Sequence, residues 1–419
     1  MKKEISLKEA TLYWLKLGFI SFGGPAAQIS MMHEEVVEKR KWIDDKSFFH
    51  ALNFTMILPG PEAQQLAIYL GWIMHGRVGG LIAGTLFILP SFFILCLLTY
   101  AYIHYSNNIW GEGILYGIKA AVIAIIFAAS IKIAKKVLKK SYYWATAILA
   151  FVAINTLNTP LPVIIIIAGL FGFIFYYFKN KNHETVSVNY FKNKIVKNST
   201  YTLFKALFAW FIVFLVVLAT NENVLIELSL FFSKAALVTF GGAYALLPYV
   251  FQNIIESQGW LTSQQMIDGL ALGESTPGPL IMIVTYVGFI VGWYSDVISL
   301  GSPLTMALLC ALIATFFTFL PSFAFIFIGA PIIELTKTNK SLEIPLNFIT
   351  AAVVGLIANL GYMLAYNSLW TDNNGIEYFD IHLLILIVFS LLALTKAKVG
   401  ILPLIITLGL TGMMMKLYF

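Results

Sequence analysis

Phe22-Gly23-Gly24, Trp42 and Pro59-Gly60-Pro61 are written a second time, in the same order, as Phe240-Gly241-Gly242, Trp260 and Pro277-Gly278-Pro279. The later number minus the earlier is 218 for every member of the set, so the two copies align without a gap. Glu9 and Glu227, Lys16 and Lys234, and Glu38 and Glu256 fall into the same register. A half-length unit used twice is the economical reading. Further along, Leu320-Pro321-Ser322-Phe323 echoes Leu89-Pro90-Ser91-Phe92 at an offset of 231, so 13 residues are inserted in the second copy before this point.

The motifs sit in apolar surroundings. Of the 419 residues 59% are hydrophobic and 11% charged, against about 25% charged in soluble domains, and the chain reads as an all-α polytopic membrane protein. Lys2, Lys3, Glu4, Lys8 and Glu9 crowd the start, without the pattern of a cleaved leader, and the first helix is expected to stay. Cys96 and Cys310 lie inside apolar runs, where they serve packing; no disulfide framework, metal centre or other cofactor is expected. The net charge of +6 comes from lysines in loops. These are topology signals, and no nucleic-acid partner is expected.

Residues 7 to 22 form a short helix that stops at Gly23-Gly24, and Pro25 starts another. The stretches flanking Pro59-Gly60-Pro61, about 47 to 58 and 62 to 75, are equally short. Crossing a bilayer takes about 20 apolar residues, and broken backbone at membrane depth survives only where protein or a water-lined cavity covers it. Two re-entrant helical hairpins or two broken helices both satisfy this. Full spans are expected at about 79 to 103, 113 to 138, 142 to 158 and 161 to 178, and again at 303 to 330, 345 to 366, 381 to 395 and 399 to 417. The lysine-rich loops at 132 to 140, 179 to 205, 337 to 340 and 396 to 398 are assigned to the cytoplasm, with the N-terminus. An extra apolar segment at 201 to 219 has no counterpart and inverts everything after it. The expected organisation is a first repeat at 1–178, a cytoplasmic linker with the extra helix at 179–222, and an inverted repeat at 223–419. Inverted-topology repeats are the plan of many secondary transporters.

Helices restart after Gly24, Gly60, Gly242 and Gly278. Each start exposes unpaired N–H groups and carries about half a positive charge, so four of them near the midplane suit a small dianion. Glycine lets the backbone approach an oxyanion directly. Substrate-binding candidates are Ser21, Gly23, Gly24, Gln28, Gly60 and Gln64 in the first half, and Thr239, Gly241, Gly242, Tyr244, Thr276 and Gly278 in the second. Lys16 and Lys234 join them as matched intrahelical lysines, with snorkelling to the interface as the plainer account. Gln65, Ser275 and Thr285 complete the polar shell. Glu62 and Glu274 are candidates for carrying a coupling proton; Glu62 also suits a helix cap, whereas Glu274 has no partner nearby in sequence. Trp42 and Trp260 read as interfacial anchors.

The run FGGPAAQISMMHEEVVEKRKWI with LPGPEAQQLAIYLGW, and its echo FGGAYALLPYV with STPGPLIMIVTYVGF, resembles the chromate ion transporter family in its long, two-domain form. The resemblance covers the chain from about residue 7 to the end. It implies efflux of chromate across a prokaryotic cytoplasmic membrane, with sulfate as the similar oxyanion, dependent on the proton gradient or on anion exchange. Family motif residues carried over are Phe22, Gly23, Gly24, Pro25, Pro59, Gly60, Pro61 and Gln64, then Phe240, Gly241, Gly242, Pro277, Gly278 and Pro279. Ala243 stands where the first half has Pro25. The expected partners are the chromate or sulfate anion and the lipid bilayer, and a homodimer is compatible with the reading. Two alternatives stay open: a sulfate or other oxyanion transporter, and a membrane scaffold whose glycines serve packing alone. A membrane-embedded enzyme finds no support, because no HExxH or Gly-x-Ser-x-Gly pattern is present.

Overall fold

The computed structural model describes residues 5–418 except 57, 107, 158, 180–192, 239–242, 296–300, 334–342 and 374–375. Helix α1 (Leu7–Ile20) is capped by Ser6, whose hydroxyl accepts from the Glu9 N–H, and it ends at Ser21. The chain turns through Gly23 and Gly24, at φ 94 and 76, into α2 (Gly24–His33), which has Pro25 in its first turn and runs on into a π-helical turn, Glu34–Lys39. Arg40 then reaches back to Glu9 (2.9 Å) and Glu35 (2.8 Å). The outer ends of α1 and α2 therefore meet, with the glycine break at the far tip.

A second hairpin has the same form. Asp44 caps α3 (Asp45–Thr55) by accepting from the Ser47 N–H at 2.9 Å, and the chain passes through Pro59-Gly60-Pro61 into α4 (Glu62–Tyr105). The first stretch of α4 returns to the N-terminal end, where His75 Nε2 meets the Ile5 carbonyl at 2.8 Å. At His75 and Gly76 the backbone leaves helical geometry and reverses. A Cβ on Gly79 would strike the Gly71 carbonyl, and one on Gly80 would lie 3.0 Å from the Ile68 carbonyl. Glycines thus let 77–105 lie directly on 62–74. Of the two readings left open by the sequence, the geometry is that of paired hairpins.

Helices α5 (Ile109–Val137), α6 (Ser141–Leu157), α7 (Leu161–Lys179) and α8 (Asn193–Ala219) follow. The apolar segment expected at 201–219 is the body of α8, which begins earlier, at Asn193. Next come α9 (Asn223–Val238), α10 (Ala243–Gln252) with a π-helical turn Asn253–Ser257, α11 (Ser263–Glu274), a 3-10 turn Leu280–Met282, α12 (Ile283–Trp293) and α13 (Pro303–Ile333). The two π-helical turns stand in register at the offset of 218. Where α4 reverses over two residues, the second half ends α12 at Trp293 and begins α13 at Pro303, and the insertion falls between the two motifs here. Helix α14 (Glu343–Leu369), a small hairpin of β1 (Trp370–Asn373) and β2 (Ile376–Phe379), α15 (Ile381–Thr395) and α16 (Ile401–Tyr418) close the chain.

Seven helices among the described residues are long and apolar enough to cross a membrane: α4, α5, α7, α8, α13, α14 and α16. Helices α6 and α15, expected as full spans, are apolar but only 17 and 15 residues long. The two halves interlock. Helix α5 packs against α15 and α16, and its counterpart α14 packs against α6 and α7. Counterparts also meet antiparallel: a Cβ on Gly361 of α14 would touch Phe127 of α5, whereas the later Ser130 meets the earlier Val354 carbonyl at 3.4 Å. Likewise Gly84 of α4 faces Phe323 of α13, and the earlier Gly80 faces the later Phe327. The middle of helix α5, residues 120 to 126, is apolar on all sides, as full burial requires, and Ala120, Ala121, Val122 and Ile123 are wholly buried in the main core.

Candidate functional site

The glycine tip of the first hairpin meets the Pro-Gly-Pro break of the second half. The Gly278 N–H is shared between the Ser21 carbonyl (3.0 Å) and the Ser21 hydroxyl (3.1 Å). Gln28 Nε2 donates to the Ser21 carbonyl (3.0 Å) and to the Gly278 carbonyl (2.6 Å). Two acceptors in reach fix which end of this amide is nitrogen. Ser21 and Gln28 are wholly buried, so this clasp holds two breaks together in a low-dielectric place.

Against the clasp lies a small crevice lined by Gly23, Gly24, Gly273, Glu274, Thr276 and Gly278. Its free volume is about 10 Å³, room for about one water. An oxyanion does not fit in this conformation. Glu274 is 7% exposed, and its Oε1 has no hydrogen-bond partner among the described residues. Thr276 spends its hydroxyl on the Gly273 carbonyl at 2.9 Å. The start of α2 directs its unpaired N–H groups toward the same region, which favours negative charge there.

The other described break shows a related arrangement. At Gly60, φ is 121, and a Cβ there would lie 2.6 Å from Gln65 Nε2 and 2.7 Å from the Ser322 hydroxyl. Gln65 Nε2 donates to the Pro59 carbonyl at 2.6 Å. Gln64 is wholly buried, and neither polar atom of its amide has a partner among the described residues. Glu62 opens α4 half-buried, with no capping hydrogen bond from Pro61 and with the charge of Lys136 acting on it. Buried polar groups are normally paired. Among the described residues, unpaired atoms on Gln28, Gln64, Gln65, Ser91 and Glu274 gather at the breaks, and others lie on Tyr13, His50, Tyr69, His75, Asn359 and Ser368.

Of the sequence candidates, the structure brings together Ser21, Gly23, Gly24, Gln28, Glu274, Thr276 and Gly278, and places Gly60, Gln64 and Glu62 at the neighbouring break. Lys16 and Lys234 lie on exposed faces of α1 and α9, turned away from the crevice. Thr239, Gly241 and Gly242 lie outside the described residues, and Tyr244 belongs to the first turn of α10. Thr285 pairs with Thr315 at 2.8 Å. Trp42 lies under the Arg40 guanidinium at 4.7 Å, at the charged end of the first hairpin.

Sequence reasoning passed over one buried charge. Asp268 on α11, 3% exposed, accepts from the Tyr102 hydroxyl (3.0 Å) and the Gln264 amide (2.8 Å), and Lys119 of α5 donates to Gln264 at 2.7 Å. An acid in an apolar stretch was the available signal. This network ties α11, which carries Glu274, to α4 and α5.

Short hairpins with glycine tips, long apolar helices and orphaned polar atoms at the breaks define a polytopic helical membrane protein built around a polar interior, the class of small-solute transporters. A family model described as "Chromate transporter" matches residues 8–173 and 226–413, and the chain belongs to that family. It is similar to a "Probable chromate transport protein" of Synechococcus elongatus, 30% identical over 365 residues that span 87% of this chain and 86% of that one. It is also similar to a "Chromate transport protein" of Pseudomonas aeruginosa, 34% identical over 352 residues (82% and 77%), and to one of Cupriavidus metallidurans, 28% identical over 365 residues (87% and 84%). These relatives are named as transport proteins, not enzymes. No solved structure matches the chain.

Proposed function

We propose that the chain is a secondary transporter that exports a small tetrahedral oxyanion, chromate foremost, across a prokaryotic cytoplasmic membrane. The observation that carries this reading is the clasp of Ser21 and Gln28 on Gly278, because it sets the restarting helix of one half against the break of the other with an unpaired Glu274 beside it. The conformation described is closed, its crevice having room for about one water. To admit a dianion, Gly278 separates from Ser21 and Gln28, and the freed N–H and amide donors turn to the substrate. The α1/α2 and α3/α4 hairpins enter and leave the membrane on the cytoplasmic side with the N-terminus, and the second half mirrors them from outside. Antiparallel contact between counterpart helices supports this inverted arrangement, with repeats at 1–178 and 223–419 joined through 179–222.

Glu274 carries the coupling proton in this reading. It is buried, its Oε1 has no partner among the described residues, and it lies beside the substrate's glycines, so its charge and that of the anion compete for one place. A scaffold whose glycines serve packing alone has no use for several unpaired polar atoms in its interior. Sulfate is the second substrate to examine, since it shares shape and charge with chromate. Uptake of radiolabelled chromate and of sulfate into everted vesicles, with and without an imposed pH gradient, tests the reading. Chromate accumulation that depends on the protein and on the gradient is expected; no oxyanion flux above empty vesicles refutes it.

A further inference from the structure

The Leu-Pro-Ser-Phe echo finds a use in the structure. Ser91 of α4 stands against Gly278: a Cβ there would lie 2.9 Å from the Ser91 Cβ and 3.2 Å from its hydroxyl. Ser322 of α13 stands against Gly60 in the same manner. Each serine thus faces the Pro-Gly-Pro break of the opposite half, and the relation is reciprocal.

Among the described residues, both hydroxyls also differ from several other buried ones, although the Ser368 hydroxyl is unpaired as well. Thr99, Ser229, Thr315, Thr318 and Ser390 each bond back to the carbonyl four residues earlier on their own helix. Ser91 is wholly buried, and its hydroxyl has no partner among the described residues. Ser322 is 1% exposed and accepts a long hydrogen bond, 3.5 Å, from Gln65 Nε2. A buried hydroxyl left poorly paired costs stability, yet among the described residues Ser91 has no partner and its mirror Ser322 has a long one. Packing alone does not explain it, because alanine has the smaller volume and no unpaired oxygen. The crossing of α4 and α13 joins the two places: Phe323, next to Ser322, packs on Gly84, about 10 Å along α4 from Ser91 at 1.5 Å per residue.

We propose that Ser91 and Ser322 are substrate-recognising residues, each hydroxyl donating a hydrogen bond to the transported tetrahedral oxyanion at the Pro-Gly-Pro break it faces. This rests on the transport reading above. The ligand class follows from the surroundings: a neutral hydroxyl beside glycine backbone and helix starts offers donors to oxygen without a fixed counter-charge, so a dianion is held and then released.

The test uses the full chain, purified for binding of labelled chromate and sulfate and reconstituted in vesicles for uptake. Ser91→Ala and Ser322→Ala are compared with Ser390→Ala, which removes a buried hydroxyl already bonded to its own helix. Each of the first two is expected to raise the KM and Kd for both anions about tenfold while the saturated rate changes little, the loss due to one charge-assisted hydrogen bond; Ser390→Ala leaves both constants unchanged. Wild-type constants in both alanine variants overturn the assignment and leave the transport reading standing. A folded wild-type protein that neither binds nor moves either anion overturns both.

Discussion

Gln28 donates its side-chain amide to the carbonyl of Gly278 at 2.6 Å, across 250 positions of the chain. The contact joins a glycine break of one repeat to a proline-glycine break of the other, so one side chain reports whether the halves are engaged. Gln28→Leu fills similar space and leaves two buried carbonyls short of a donor. Its expected effect is a loss of about 1–3 kcal/mol of stability, seen as a lower melting temperature of purified protein, together with a drop in transport of tenfold or more. An unchanged melting temperature would show that the clasp contributes nothing.

Gly60 and Gly278 hold φ of 121 and 99, and a Cβ on either meets a neighbouring side chain within 3 Å. Gly259 also has positive φ, 64, but open space around it. Alanine at 60 or 278 is therefore expected to cost about 1–3 kcal/mol in strain plus the displacement of Gln65 or Ser91, and to abolish uptake. Alanine at 259 meets no neighbour, and its uptake stays near wild type. Thermal melts and vesicle uptake on the three variants separate backbone strain from loss of the close approach.

Glu274→Gln keeps the size of the side chain and removes its ability to carry a proton. Under the coupling proposed, the variant exchanges anion down a concentration gradient but no longer accumulates it in response to an imposed pH gradient. Counterflow and gradient-driven uptake in the same vesicles give the comparison. Gradient-driven accumulation at the wild-type level by E274Q would assign the proton elsewhere.

At the charged end of the first hairpin, the Arg40 guanidinium hydrogen-bonded to Glu35 holds that carboxyl below its usual range, with further help from the charges of Arg40, Lys39 and Lys16. A carboxyl lowered in the folded state stabilises it above the unfolded value, about 4.3, and this contribution fades as pH falls through the folded value. Acid titration of the melting temperature is expected to show a decline that Glu35→Gln flattens below pH 4. Because Arg40 also bonds Glu9 and lies over Trp42, Arg40→Lys loses the forked contact as well as the stacking and melts lower at every pH.

The glycine breaks were legible in the sequence because positive φ and tight turns leave few alternatives, and the duplication was legible because register is a property of numbering. Partners across the breaks were not. Which tip meets which is decided by packing between hairpins far apart in sequence, and nothing local to Gln28 names Gly278. Lys16 and Lys234 show the converse. Their matching positions are real, but what they share is an exposed helix face. The Leu-Pro-Ser-Phe echo was visible as a repeat, yet its serines gained meaning only when each was seen against the other half's glycine.

The exchange of partners between α5 and α14 bears on the order in which the protein is made. Helix α5 ends at Val137, whereas α16, one of the helices that cover it, begins at Ile401. At 5–20 residues per second, roughly 15–50 seconds of translation separate the two. Throughout that interval the newborn first half holds an uncovered flank in the membrane, and its assembly waits for the last helix of the second.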